Sequence, residues 1–381
     1  MVLDERVSDR SRNESDVVLC INSGSSSLKF AVIAVGDGDE RRIVDGAVER
    51  IGETASHTQA EALGRVFARL EDDHVEGVTV VGHRVVHGGP DHTTPVVVDD
   101  AVLASLRDLV KLAPLHMPAA ISAIEAIFAR YPELPQVACF DTAFHASMPE
   151  LARRFPIPDR FHDAGVRRYG FHGLSYEYVM SVLGRDPPAR IVIAHLGNGA
   201  SLVAVLDGRA IDTTMGLTPT GGIVMGTRTG DLDPGVLIYL AREMHMPVDA
   251  LEHLVDRESG LTALGGTSDM QALLARAATD PRARLAVAMF GYSIRKAIGA
   301  LCAALGGVDL VVFTGGIGAH ASEVRAEACR GLEFFGIELD AERNARGEEI
   351  ISATTSPCAV RLIATDEELV IARHAHRALR A

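Results

Sequence analysis

The chain lacks any surplus of positive charge. Its 381 residues carry 37 Lys and Arg against 51 Asp and Glu, a formal net charge of −14, so nucleic acid and an anionic membrane surface would both be repelled. Anionic ligands must be met by local basic residues instead. Cysteine is sparse. Cys20, Cys139, Cys302, Cys329 and Cys358 are an odd number without C-x-x-C spacing, which suits a reducing compartment better than a disulfide framework. The first sixteen residues have no signal-peptide apolar core and read as a disordered leader, and no apolar run reads as long enough to span a membrane. The expectation is a soluble, cytoplasmic protein with neither nucleic acid nor membrane as partner. Two phosphate-loop patterns are missing as well, since there is no G-x-x-x-x-G-K-[ST] and no G-x-G-x-x-G entering a helix.

What the sequence does have is one hairpin used twice. "VVLCINSGSSSLKFAVIAV", Val17 to Val35, runs apolar strand, Gly/Ser turn, apolar strand, with Lys29 in the second strand. "RIVIAHLGNGASLVAVLDG", Arg190 to Gly208, repeats that order, and Ser27-Leu28 aligns with Ser201-Leu202 at an offset of 201 − 27 = 174 residues. Small residues at such a tip let backbone N–H groups approach a ligand closely, and a phosphate chain is the natural guest. An ordinary polar-tipped hairpin is the alternative. The length also fits two domains better than one, at roughly 150 residues each. Strands and helices alternate through both halves, an α/β pattern. "VDLVVFTGGIG" is expected to be a strand running into a glycine turn, and two helices near "LAPLHMPAA" are expected to break at Pro114 and Pro118.

Several charged residues stand where structure alone gives little reason for them. His83 and His87 in "GHRVVHGG" have i, i+4 spacing, but Val85-Val86 marks a strand, which separates them by roughly 13 Å at about 3.3 Å per residue, so a zinc site is not expected. Arg84, in the same buried strand, calls for an anionic partner. "MGLTPTGGIVMGTRTGDLDPG" is a long Gly/Thr loop carrying Arg228, Asp231 and Asp233; a solvated Arg–Asp pair or one half of an anion clamp would each explain it. His172 in "RRYGFHG" and His116 in "LAPLHMP" read as core or structural histidines when taken alone. Asp141 ends a strand. Glu367 and Glu368 open a helix, where negative charge is favourable in any case.

In order, "INSGSSSLKF", "GHRVVHGG", "LAPLHMP", "FDTAFH", "RRYGFHG", "HLGNGAS", "MGLTPTGGIVMGTRTGDLDPG", "FTGGIG" and "TDEELVIA" resemble the acetokinase family from about Val17 to the C-terminus. That resemblance implies two duplicated actin-like, ribonuclease H-like domains with the active site in the cleft between them. The N-terminal domain would span 17–143, completed by a C-terminal helix at about 367–381, and the nucleotide domain 144–366. The implied reaction is reversible phosphoryl transfer from ATP to acetate, giving ADP and acetyl phosphate, with magnesium or alternatively manganese, in a homodimer.

The resemblance also implies roles. Arg84 and Arg228 would flank the carboxylate and the transferring phosphoryl, His172 would donate to its oxygens, and Asp141, Glu367 and Asn22 would serve the metal. Val86, Leu115, Phe171 and Pro219 would hold the acetate methyl. Lys29, His195, Gly197, Asn198, Gly199, Asp269, Gly315, Gly316, Ile317 and Gly318 would bind the nucleotide. Pro90, Met117, Tyr176, Gln271 and Ala319-His320 depart from the family pattern and bear on nucleotide affinity and base preference. Two other readings stay open: a propionate or butyrate kinase, since one methylene changes discrimination by only about 1–3 kcal/mol, and a non-catalytic nucleotide-binding protein on the same fold.

Overall fold

The computed structural model describes residues 15–24, 27–36, 38–49 and 58–380. Residues 1–14 of the expected leader and Ser25 and Ser26 at the first hairpin tip lie outside them. Asp16, assigned above to the leader, is instead the first residue of a strand and is buried. Its carboxylate accepts from Thr79 Oγ1 at 3.3 Å and lies 2.6 Å from His376 Nδ1.

The chain divides into two compact units, one running to Ala143 and taking back the segment from Asp366, the other spanning Phe144–Thr365. In the first, β1 (Asp16–Ser23), β2 (Ser27–Val35), β3 (Glu40–Glu49), β4 (Val78–Val85), β5 (Val96–Val97) and β6 (Gln136–Phe140) form a sheet of order β3-β2-β1-β4-β6-β5. In the second, β7 (Arg190–Leu196), β8 (Ala200–Leu206), β9 (Arg209–Thr213), β10 (Leu310–Thr314) and β11 (Ala359–Leu362) take the order β11-β10-β7-β8-β9. Each unit has an antiparallel meander, β1-β2-β3 or β7-β8-β9, whose first strand then pairs in parallel with a later one. Over five strands, β3-β2-β1-β4-β6 and β9-β8-β7-β10-β11, the sheets share one order and one set of directions, with β5 an extra antiparallel edge strand of the first, and the repeated hairpin is the start of each.

The central strands are buried on both faces, which is why they read as continuous apolar runs rather than alternating ones. One core of the first unit packs Leu19, Ile21 and Phe30 against Leu63, Val66, Phe67 and Leu70. These last four lie on one face of helix Gln59–Asp72, which Thr58 and Glu61 cap reciprocally. On the opposite face of the sheet runs helix Glu367–Ala378. A Cβ on Gly82 would sit 2.4 Å from Ile371 Cγ2, so only glycine lets that helix lie so close to β4.

Three sequence expectations are corrected. The break between helices falls at Pro114 as expected, but Pro118 stands inside the first turn of helix Met117–Arg130, where a residue has no intrahelical N–H bond to lose. "GGIG" is not a turn but opens helix Gly315–His320. Helix Pro281–Leu305, with 25 residues, is long and apolar enough to cross a membrane by length and composition. Its Ile294, Ile298, Leu301 and Leu305 are buried, it packs on β7 and β8, and Gly306 closes it in the left-handed conformation.

Candidate functional site

Parallel strands in register place matched residues side by side, and β1, β4 and β6 do this with polar residues at their C-terminal ends. Ile21 pairs with His83, so Asn22 stands beside Arg84; Arg84 pairs with Cys139, so Asp141 follows two residues later on the same face. Arg84 donates to Asp141 through Nε and Nη2, the latter at 2.6 Å from Oδ2. Its Nη1 lies 3.0 Å from Glu367 Oε2 at the start of the overlying helix. Asp141 is 1 % exposed. Burial opposes the Arg84 charge, but the fields of Asp141 and Glu367 outweigh it and raise the guanidinium above its ordinary range. The cation is thus fixed in place and permanently charged. Glu368 is different: burial, reinforced by Glu367 and Asp366, pushes its carboxyl upward, while its backbone carbonyl accepts from Cys20 Sγ at 3.2 Å.

Val86 and Leu115 are half-buried in this unit. Lys29 is exposed on β2, paired with Asn22. His83 and His87 form no metal pair: His83 Nε2 lies 2.7 Å from Gln136 Oε1, and His87 Nδ1 accepts from Gly89 N. Among the described residues no three His, Cys, Asp or Glu side chains group as a metal site. Asn22, Asp141 and Glu367 are nonetheless an all-oxygen donor set with two carboxylates, which suits magnesium shared with phosphates and water better than a metal caged by protein.

In the second unit, His172 sits at φ 59°, left-handed, directly before helix Gly173–Leu183. A non-glycine residue held in that conformation needs support from its surroundings. His145 Nε2 donates to the carbonyl of Phe171 at 3.0 Å, and Tyr176 N donates to that of His172 at 3.2 Å. His172 Nδ1 lies 2.8 Å from Ser201 Oγ, its ring stacks on His195 at 4.4 Å, and His195 Nδ1 lies 2.8 Å from Ser175 Oγ. A Cβ on Gly199 would come within 3.3 Å of His172 Nε2 and 3.4 Å of Arg228 Nη1, so the glycine turn after β7 meets both side chains. Arg228 Nη1 also donates to the carbonyl of Pro219 at 3.2 Å.

The loop that carries Arg228 is irregular yet tied down. Gly226 N donates to the carbonyl of Asn198, Thr229 N to Val255 O, and Leu261 N to Met225 O. Asp231 accepts from Gly222 N, and Asp233 caps helix Pro234–Glu243.

A cavity of about 870 Å3 opens beside the same glycine turn, lined by Gly197, Asn198, Asp269, Gly316 and Ile317. All five are among the expected nucleotide residues, and the volume is that of a cofactor-sized site. Gln271 and His320 line it as well. Gly315 and Gly318 are buried and not on its wall; Gly315, at φ +75°, has no room for a side chain, since a Cβ there would sit 2.6 Å from Leu196 O. Asp269 Oδ1 accepts from Gln271 N and Ala272 N, capping helix Met270–Arg276. Sequence reasoning missed Ser201, Ser175 and His145. Ser201 does stand in "HLGNGAS", one of the blocks that carry the resemblance.

Its relatives make the chain a phosphotransferase. The family model described as "Acetokinase family" matches residues 17–373, and the chain belongs to that family. It is 44% identical over 398 residues to an acetate kinase of Rhodopseudomonas palustris, covering 95% of this chain and 98% of the relative. Among solved structures it is similar to an acetate kinase of Porphyromonas gingivalis, 36% identical with a TM-score of 0.85, covering 96% of this chain and 100% of the other. It is also similar to a propionate kinase of Francisella tularensis, 35% identical with a TM-score of 0.89, covering 95% and 99%.

Proposed function

We propose that the chain is an acetate kinase that transfers the ATP γ-phosphoryl reversibly to acetate by direct in-line displacement. The observation that carries this reading is the Arg84 guanidinium, held at a strand end by Asp141 and Glu367; nucleotide binding alone has no use for it, whereas a carboxylate substrate does. Acetate is ionised near neutral pH and attacks phosphorus without a general base. Positioning and charge stabilisation then supply the catalysis.

In this reading Arg84 takes the acid carboxylate, Arg228 the charge moving through the phosphoryl group, and His172 Nε2 donates to a phosphoryl oxygen. Val86, Leu115, Phe171 and Pro219 confine the methyl group. Gly197, Asn198, Asp269, Gly316 and Ile317 take the nucleotide, with His195 and Gly199 shaping the turn behind it, Gly315 and Gly318 the helix start beside it, and Lys29 facing phosphate. Asn22, Asp141 and Glu367 would hold magnesium through its water shell. The ion would neutralise phosphate charge when bound. We place the enzyme in the cytoplasm as a homodimer.

A propionate kinase is the second reading, favoured by the similarity to the Francisella tularensis structure. The test is ADP release, measured with magnesium and ATP by a coupled assay. It should require an added short-chain acid; release at the same rate without acid would leave only an ATPase.

A further inference from the structure

His172 does not stand alone on its buried side. Its Nδ1 is 2.8 Å from Ser201 Oγ, and Ser201 Oγ is in turn hydrogen-bonded to the Tyr176 hydroxyl. Ser201 and Tyr176 are both 0 % exposed, so water does not compete for these groups. Tyr176 lies one helical turn beyond His172, and Ser201 comes from β8. Two separate elements thus converge on one ring nitrogen. The other ring nitrogen, Nε2, is the one that meets the Gly199 turn together with Arg228.

We propose that Ser201 and Tyr176 are positioning residues that set the tautomer of His172. A tyrosine hydroxyl and a serine hydroxyl each carry one proton, and a neutral imidazole carries one proton on either nitrogen. If Tyr176 O–H donates to Ser201 Oγ and Ser201 O–H donates to Nδ1, all three contacts are satisfied in one direction. Nδ1 is then the acceptor, and the ring proton is on Nε2. This is the nitrogen from which a hydrogen bond to a phosphoryl oxygen can be donated. The opposite tautomer would need Nδ1–H to donate to Ser201 and would leave Nε2 a bare lone pair facing an incoming anion. His195, stacked on His172, repeats the pattern with Ser175 Oγ at its own Nδ1. What holds a histidine in its useful tautomer is part of the catalytic design even when it never touches substrate.

The choice between the two directions rests on the proposed phosphoryl transfer, but the tautomer itself is read without turnover. Nitrogen NMR of the ring in the substrate-free, full-length protein should show protonated Nε2 and bare Nδ1 at His172, assigned by the signal lost in His172→Gln. Ser201→Ala should give a mixture of tautomers, and Tyr176→Phe, which keeps the buried ring, should shift the Nδ1 signal without unfolding the protein. In acid-dependent turnover both variants should lower kcat about 10-fold while KM for ATP stays within about two-fold. Nδ1–H as the wild-type tautomer, or spectra unchanged in both variants, would overturn the proposal. A wild-type protein with the expected tautomer and no turnover of any acid would sustain the tautomer assignment and sink the kinase reading instead.

Discussion

Arg84 Nη2 donates to Asp141 Oδ2 at 2.6 Å, across the ends of two neighbouring parallel strands. That bond makes a carboxylate the jig for a cation, and it means a substitution at Asp141 acts on two things at once. Asp141→Asn should lower kcat about 10-fold and raise the magnesium concentration needed for half-maximal activity. Glu367→Gln should do the same more mildly, since it keeps the Asp141 contacts. Magnesium titrations at saturating ATP and acid check this; superimposable curves for wild type and both variants would remove the pair from the metal's path.

For Arg228 the prediction separates chemistry from binding. A donor aimed at charge that develops in the transition state typically contributes about 10²–10³ in kcat, with little effect on the ground state. Arg228→Ala should show that loss while KM for ATP moves only a few-fold. Arg228→Lys should recover little, because an ammonium cannot reproduce the planar fork. Steady-state kinetics of the two variants decide it, and near-normal kcat in the alanine variant would contradict the assignment.

Chain-length preference should run through Val86. Shortening it to alanine enlarges the space at the methyl end, and one buried methylene is worth on the order of 1 kcal/mol. Val86→Ala should therefore raise kcat/KM for propionate or butyrate relative to acetate by about five-fold. Ratios that stay put would mean Val86 does not line the acid pocket.

Acid should destabilise the fold through two buried histidines. Burial lowers His83 and His145 from 6.5 to about 4 in the folded chain. A folded value below the unfolded one means that the unfolded chain binds the extra protons first. The resulting stability is complete above about pH 6.5 and is lost as pH falls through about 4. Each ring accounts for on the order of 3 kcal/mol across that window. Urea denaturation from pH 7.5 to about 4 should show a plateau and then a decline, shallower in His83→Gln. A flat profile would contradict the neutral, buried assignment.

Much of this architecture is legible in local sequence. The repeated hairpin, the Thr58 cap and the Gly306 stop are signals written within a few residues, and each marks an element the structure contains. Helices Val248–Arg257, Gly260–Gly265 and Met270–Arg276 escaped notice because each is short, and glycines break the pattern further in the second. Helix Pro281–Leu305 escaped as a membrane-length segment because Arg295 and Lys296 interrupt a strictly apolar run. The Arg84 motif is visible, but Glu367 as its second partner is not, since the helix that brings it belongs to the far end of the chain. The Tyr176–Ser201–His172 chain is likewise a tertiary fact: each residue reads locally as ordinary helix, strand or loop.

The account is tested most directly by trapping the product. Wild-type protein incubated with acetate, ATP, magnesium and hydroxylamine should form the hydroxamate of acetate, with kcat/KM for acetate above those for propionate and butyrate. No hydroxamate from any of the three acids, in a folded preparation that binds ATP, would contradict it.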